Sequence, residues 1–147
     1  MATTAAISIA SDIMSGFSAY YKTMTLTQAG TTTDIEETTG FSRRKLADTT
    51  PVDLITMADA SLLLETDDNK AAKVYIQNVG DGKGTIDKST YVTVSIGDTG
   101  GTPQPIGRLY GGDWLIMPVT GVDNKDVVVT PSTNDAVVLE YVMFFEV

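Results

Sequence analysis

The C-terminal stretch 137-VVLEYVMFFEV-147 decides the fold class. Its odd positions, Val137, Leu139, Tyr141, Met143, Phe145 and Val147, are all apolar. Its even positions are Val138, Glu140, Val142, Phe144 and Glu146. A pleated strand sends successive side chains to opposite faces, so this period of two describes a strand with one face on a core. The other face is only half polar. Val142 and Phe144 there require cover from a loop, a second sheet or another chain.

The same reading extends backwards. Asp126–Thr130 is Val-rich and runs into Pro131, which cannot donate to a ladder and suits a strand end. Asp113–Val119 is apolar on both faces, the pattern of a central or doubly covered strand. Tyr91–Ile96 sets Val92, Val94 and Ile96 against Tyr91, Thr93 and Ser95, and Lys73–Asn78 sets Val74 and Ile76 against Tyr75 and Gln77. Turn-rich stretches separate these runs: Gly80–Gly84, Gly97–Pro105, Gly111-Gly112 and Gly121–Asn124. Five short strands so spaced predict an all-β chain, an antiparallel β-sandwich or jelly-roll-like domain. Composition agrees, since 22 Thr, 14 Val and 10 Ile make nearly a third of the 147 residues β-branched.

The first half is less regular. Phe17–Thr27 reads as a strand bearing Tyr20 and Tyr21, Gln28–Thr39 as a polar loop, and Phe41–Ala47 as a further strand. Thr50-Pro51-Val52-Asp53 has the form of a helix start, with a Thr cap, Pro at the first helical position and an acid following, so one short helix or turn is expected there. Residues 1–16 have no usable periodicity and are expected to form an extended N-terminal arm, disordered or ordered by a neighbouring subunit. The predicted organisation is thus an arm over 1–16 and a single β-sandwich domain over 17–147.

Composition limits the chemistry. The chain has no histidine and no cysteine, which removes disulfides, thiol nucleophiles, Ser-His-Asp triads, zinc fingers and His-ligated metals. A net charge of −9, spread over both halves, and no basic run longer than Arg43-Arg44-Lys45 disfavour nucleic acid as a partner. No stretch approaches the ~18 apolar residues of a membrane span, and no basic residue precedes Lys22 to open a leader.

Individual motifs read as structure. Gly80-Asp81-Gly82-Lys83-Gly84-Thr85 has the wrong order for a phosphate loop and reads as a hairpin loop. Glu65–Asn69 and Asp123–Asp126 are acidic, but neither has the spacing of an EF-hand, and both read as solvated turns. No catalytic, cofactor-binding or metal-ligating residues are assigned, no cofactor is expected, and the protein is expected not to be an enzyme. Tyr20, Tyr21, Tyr75, Tyr91, Tyr110 and Trp114 are available for sugar stacking or an interface, though packing explains most of them. Adjacent Tyr20 and Tyr21 point to opposite faces of their strand.

Four segments, KVYIQNVG (73–80), YVTVSIG (91–97), IGRLYGGDWLIMP (106–118) and the terminal VLEYVMFFEV (138–147), carry a resemblance. Their succession resembles small virion β-domain proteins of tailed bacteriophages, over residues 71–147. The resemblance implies a structural role in the virion: a capsid decoration or cement protein, made in the host cytoplasm, outside the shell of major capsid protein. It also implies a homo-oligomer, commonly a trimer, and carries over no catalytic residues. On that reading residues 1–16 and Gln28–Thr39 are candidate arms, and Tyr20, Tyr21, Val142 and Phe144 are candidate interface residues. The alternatives are a tail, neck or fibre component, or a receptor- or carbohydrate-binding β-domain.

Overall fold

A computed structural model of the chain describes residues 3–9, 20–26, 37–57, 72–83, 85–120, 125–134 and 137–145. The described residues contain strands and turns and no helix. Two strands, β1 (Thr3–Ile9) and β2 (Tyr20–Leu26), form an antiparallel pair of their own with Thr3 opposite Leu26 and Ile9 opposite Tyr20. A seven-residue ladder therefore joins the segment expected to be an arm, residues 1–16, to the strand expected over Phe17–Thr27.

The remaining strands are β3 (Glu37–Thr38), β4 (Ser42–Leu46), β5 (Val52–Ile55), β6 (Ala72–Asn78), β7 (Tyr91–Gly97), β8 (Gln104–Tyr110), β9 (Trp114–Val119), β10 (Asp126–Pro131) and β11 (Val137–Phe145). One sheet has the order β5-β10-β7-β8; in the other, β11 lies between β6 and both β3 and β4, and β6 pairs onward with β9. Every ladder is antiparallel. Counting β4 as the first of eight, the sheets read 1-8-3-6 and 2-7-4-5, the strand order of a jelly roll. The order has a simple physical origin. Strand β4 pairs β11, β5 pairs β10, β6 pairs β9 and β7 pairs β8, so the chain is one long hairpin with its tip between β7 and β8. Rolling that hairpin up adds the ladders β11–β6 and β10–β7 and closes two sheets over each other.

The core lies between the sheets. Val137, Leu139 and Met143 of β11 and Val74 and Ile76 of β6 face Val92 and Val94 of β7 and Val127 and Val129 of β10, and all are almost fully buried. Of the odd positions of the C-terminal strand, Val137, Leu139 and Met143 line the core and Tyr141 packs against it, as the alternation requires; the side chains of Phe145 and Val147 lie outside the described residues. Burying each such Val, Leu or Ile stabilises the fold by about 1.5–3 kcal/mol before chain entropy is subtracted.

Two expectations are corrected here. Thr50–Asp53 does not start a helix: the Thr50 N–H is held by Asp48 Oδ1 at 2.8 Å in a turn, and Val52–Ile55 pairs with β10 as β5. A ladder partner outweighs local capping signals. Second, β9 is not a central strand but the last strand of its sheet, with Trp114 44% exposed. Its two apolar faces do not both find cover within the described chain. Strand β8 has no counterpart in the sequence reading, because Pro105 and Gly107 interrupt it; it is an edge strand, where such residues are tolerated.

Asn78 fastens one end of the sandwich. It is fully buried at the end of β6, its Nδ2 donates to the Leu109 carbonyl of β8 at 3.0 Å, and its Oδ1 accepts from the Gly80 N–H at 3.0 Å. One side chain thereby ties the two sheets and the β6–β7 loop together.

Candidate partner-binding face

The outward face of the β4-β11-β6-β9 sheet carries the residues left over once the core is filled. Register places Tyr75 opposite both Val142 and Ile116, Gln77 opposite Trp114, and Lys73 opposite Phe144 and Pro118. Phe41 joins them from the β3–β4 connection. Thr39 is pinned to β11, its N–H donating to the Met143 carbonyl and its Oγ1 accepting from the Met143 N–H, each at 3.0 Å. Gly40 then turns the chain at φ +72°, and Phe41 arrives beside Tyr75.

The result is an aromatic row. The Phe41 and Tyr75 ring centroids are 6.2 Å apart, nearly edge to face, and those of Tyr75 and Trp114 are 6.0 Å apart. Phe41 is 74% exposed and Trp114 44%, while Tyr75 between them is half-buried and donates its hydroxyl hydrogen to Gln77 Oε1 at 2.9 Å. Burial, and secondarily the Glu140 carboxylate, push the Tyr75 hydroxyl above the ordinary tyrosine value. Glu140 itself is paired with Arg43 on the neighbouring strand. Large apolar side chains scattered singly on a surface need no explanation, whereas adjoining ones beside a sheet edge make this face the candidate for a contact surface.

The predicted interface residues distribute unevenly. Val142 is 1% exposed: its own chain covers it, opposite Tyr75, so it has no surface to offer a partner. Phe144 is half-buried on the same outward face. Tyr20 and Tyr21 lie in β2, opposite Ile9 and Ser8, and their side chains fall outside the described residues, as do residues 10–16 and 28–36 of the candidate arms. The tyrosines considered together in the sequence separate onto the two sheets. Tyr75 and Trp114 share the row above, whereas Tyr91 and Tyr110 pair across β7 and β8, 5.3 Å apart, with the Arg108 guanidinium 4.4 Å over the Tyr91 ring. Phe41 escaped the sequence reading because its position depends on the Thr39–Met143 contacts and not on strand periodicity.

The Gly80–Thr85 loop is built as a turn. Asp81 Oδ1 accepts from the N–H groups of Lys83 at 2.7 Å and Thr85 at 3.1 Å, so the carboxylate occupies the donors a phosphate would need. The loop also folds over Val138: a Cβ on Gly82 would lie 2.6 Å from Val138 Cγ2. Among the described residues no helix is long and apolar enough to cross a membrane. No protein-family model matches this sequence, and neither does any curated protein.

Proposed function

We propose that this protein is a structural component of a tailed-phage virion, a decoration or cement protein that binds the outside of the head and bridges subunits of the major capsid protein. It acts as a homo-oligomer, with a trimer favoured. The observation that carries the reading is the exposed row Phe41–Tyr75–Trp114 on a stiff sheet beside the edge strand β9. Aromatics held in fixed positions give a large contact area at little entropic cost, which is how interface hot spots are built. The resemblance of residues 71–147 to small virion β-domains supplies the class of partner. A shell swollen by packaged DNA is stabilised by a rigid block that resists separation of the capsomers beneath it.

Reconstitution tests the proposal. Purified protein added to heads lacking it should bind at saturable stoichiometry and raise the temperature at which the heads rupture. Replacing both Phe41 and Trp114 with Ser should weaken binding at least about thirtyfold, the effect of one aromatic hot spot of about 2 kcal/mol. Binding unchanged in that double variant, or absence of the protein from purified particles, overturns the proposal. Recovery with tails instead of heads moves the role to a tail or neck component, and glycan binding without particle association replaces it with receptor recognition.

A further inference from the structure

The sandwich has four edge strands, and three of them carry a feature that discourages a further strand. β8 has Pro105 and a register shift against β7, β9 has Pro118, and the ladder of β5 with β10 is interrupted between Val127 and Val128. Proline and bulges are devices by which sheets prevent edge-to-edge pairing. β4 has neither: Ser42–Leu46 pairs with β11 from Tyr141 back to Val137 without a shift.

What β4 has instead is positive charge. Arg43, Arg44 and Lys45 are consecutive and exposed, three of the ten cations in a chain of net charge −9. Arg43 is paired with Glu140, whereas Lys45 lies opposite Val138 and has no acid across from it. Like charges directly opposite repel, so a second copy's β4 is a poor partner for this edge.

The backbone phase fixes what the edge offers. The Val138 N–H donates to the Gly80 carbonyl at 2.7 Å and the Val138 carbonyl accepts from the Val79 N–H at 2.9 Å, so the main chain there points toward β6. At Met143 it points the other way, to Thr39. Alternation along β11 therefore turns Val137, Leu139 and Tyr141 toward β4, where Leu46, Arg44 and Ser42 face them. The N–H and C=O groups of Arg43 and Lys45 are left pointing outward, and no described strand pairs with them. Side chains alternate as well. Arg43 and Lys45 share the outward face with Glu140 and Val138, and Arg44 turns to the seam between the sheets. There its Nη1 donates to the Asp53 backbone carbonyl at 2.8 Å, beside a groove of about 260 Å³ lined also by Leu54, Ile55 and Tyr141.

We propose that β4 is a docking edge for an extended acidic segment of another protein, which adds to the sheet as an antiparallel strand. Two carboxylate residues of that segment, two positions apart, lie opposite Arg43 and Lys45, sharing main-chain hydrogen bonds with them and pairing charges on the outward face. The residue between them is apolar and covers the groove beside Arg44. Strand addition of this kind draws affinity from the main chain and specificity from alternate side chains. Charge selects the partner: an acidic polypeptide is repelled by the chain as a whole and attracted at this edge. Strands β5, β8 and β9 of a second copy hold one acid between them, Asp53, so the complementary segment belongs to a different chain. The inference does not depend on the virion reading.

The probe is a fluorescein-labelled peptide, Thr-Val-Asp-Ile-Glu-Val-Thr capped at both ends, titrated with the full chain at about 0.1 M salt and followed by polarisation. It should bind saturably. Arg43→Glu/Lys45→Glu should weaken binding at least about tenfold, and should instead take up the peptide with Lys at both acid positions, which the wild type should refuse. Arg43→Glu also sets a carboxylate beside Glu140, so Lys45→Glu, opposite Val138, repeats the comparison without that contact. N-methylation tests the phase. Methyl groups on the Asp and Glu nitrogens, which face β4, should abolish binding, and one on the Ile nitrogen, which faces away, should be tolerated. No binding by the wild type up to about 1 mM, equal binding by wild type and both variants, or equal loss from either methylation pattern overturns the proposal. So does an oligomer of the wild type that Lys45→Glu dissociates, because a second copy would then occupy the edge.

Discussion

Truncating Asn78 to Ala should be among the most damaging single changes in this protein. The amide orientation is fixed by its partners, since the Leu109 carbonyl can only accept and the Gly80 N–H can only donate. Removing it leaves both groups without that partner in a site with no solvent access. Each loss of this kind costs about 1–3 kcal/mol, so the pair should cost about 2–6 kcal/mol. For a domain of this size that lowers Tm by on the order of 10 °C. Reversible urea unfolding of wild type and Asn78→Ala, followed by circular dichroism, measures it directly. Asn78→Asp adds a second reading. It keeps an acceptor for Gly80 but aims an oxygen at the Leu109 carbonyl and buries a charge, so it should be at least as damaging at neutral pH. Its stability should recover as the pH falls and the protonated acid becomes a donor. A loss below about 1 kcal/mol for Asn78→Ala would refute the view that this side chain joins the two sheets.

Two further expectations follow from single residues. Gly82→Ala should cost about 1–3 kcal/mol in chemical denaturation, because φ is +75° and the new Cβ would meet Val138 at 2.6 Å; a neutral result would mean that the loop does not seat on β11. Tyr75 ionises above the ordinary tyrosine value in the folded chain, so the unfolded chain loses this proton first as pH rises. Its contribution to stability is therefore complete below about pH 10 and is lost above it, and Tyr75→Phe should flatten the alkaline limb of the stability curve; parallel limbs would contradict the assignment.

Much of the fold was legible because alternation is a local signal. The odd residues from Val137 to Met143 line the core, and Val74, Ile76, Val92 and Val94 occupy the faces that their spacing assigns them. What escaped depends on partners distant in the chain. β5 is a strand because β10 pairs with it, and β8 is tolerated despite Pro105 because it lies at an edge. Strand β9 shows the limit of pattern reading. An apolar run on both faces describes a buried strand and an exposed edge equally well, and only the sheet order separates them. The outward face was half legible: Phe144 was named from its even position, but Val142 at the same period is covered by its own chain. Phe41 required three-dimensional contacts.

The most direct test of the central claim, a rigid jelly roll that grips a protein shell through one aromatic sheet face, is a cryo-electron microscopy map of an intact particle containing this chain. The account predicts density for the sandwich on the outer head surface, with Phe41 and Trp114 buried against capsid subunits and the β5-β10-β7-β8 sheet turned away. A sandwich bound with that row facing solvent, or heads bearing no such density, would contradict it.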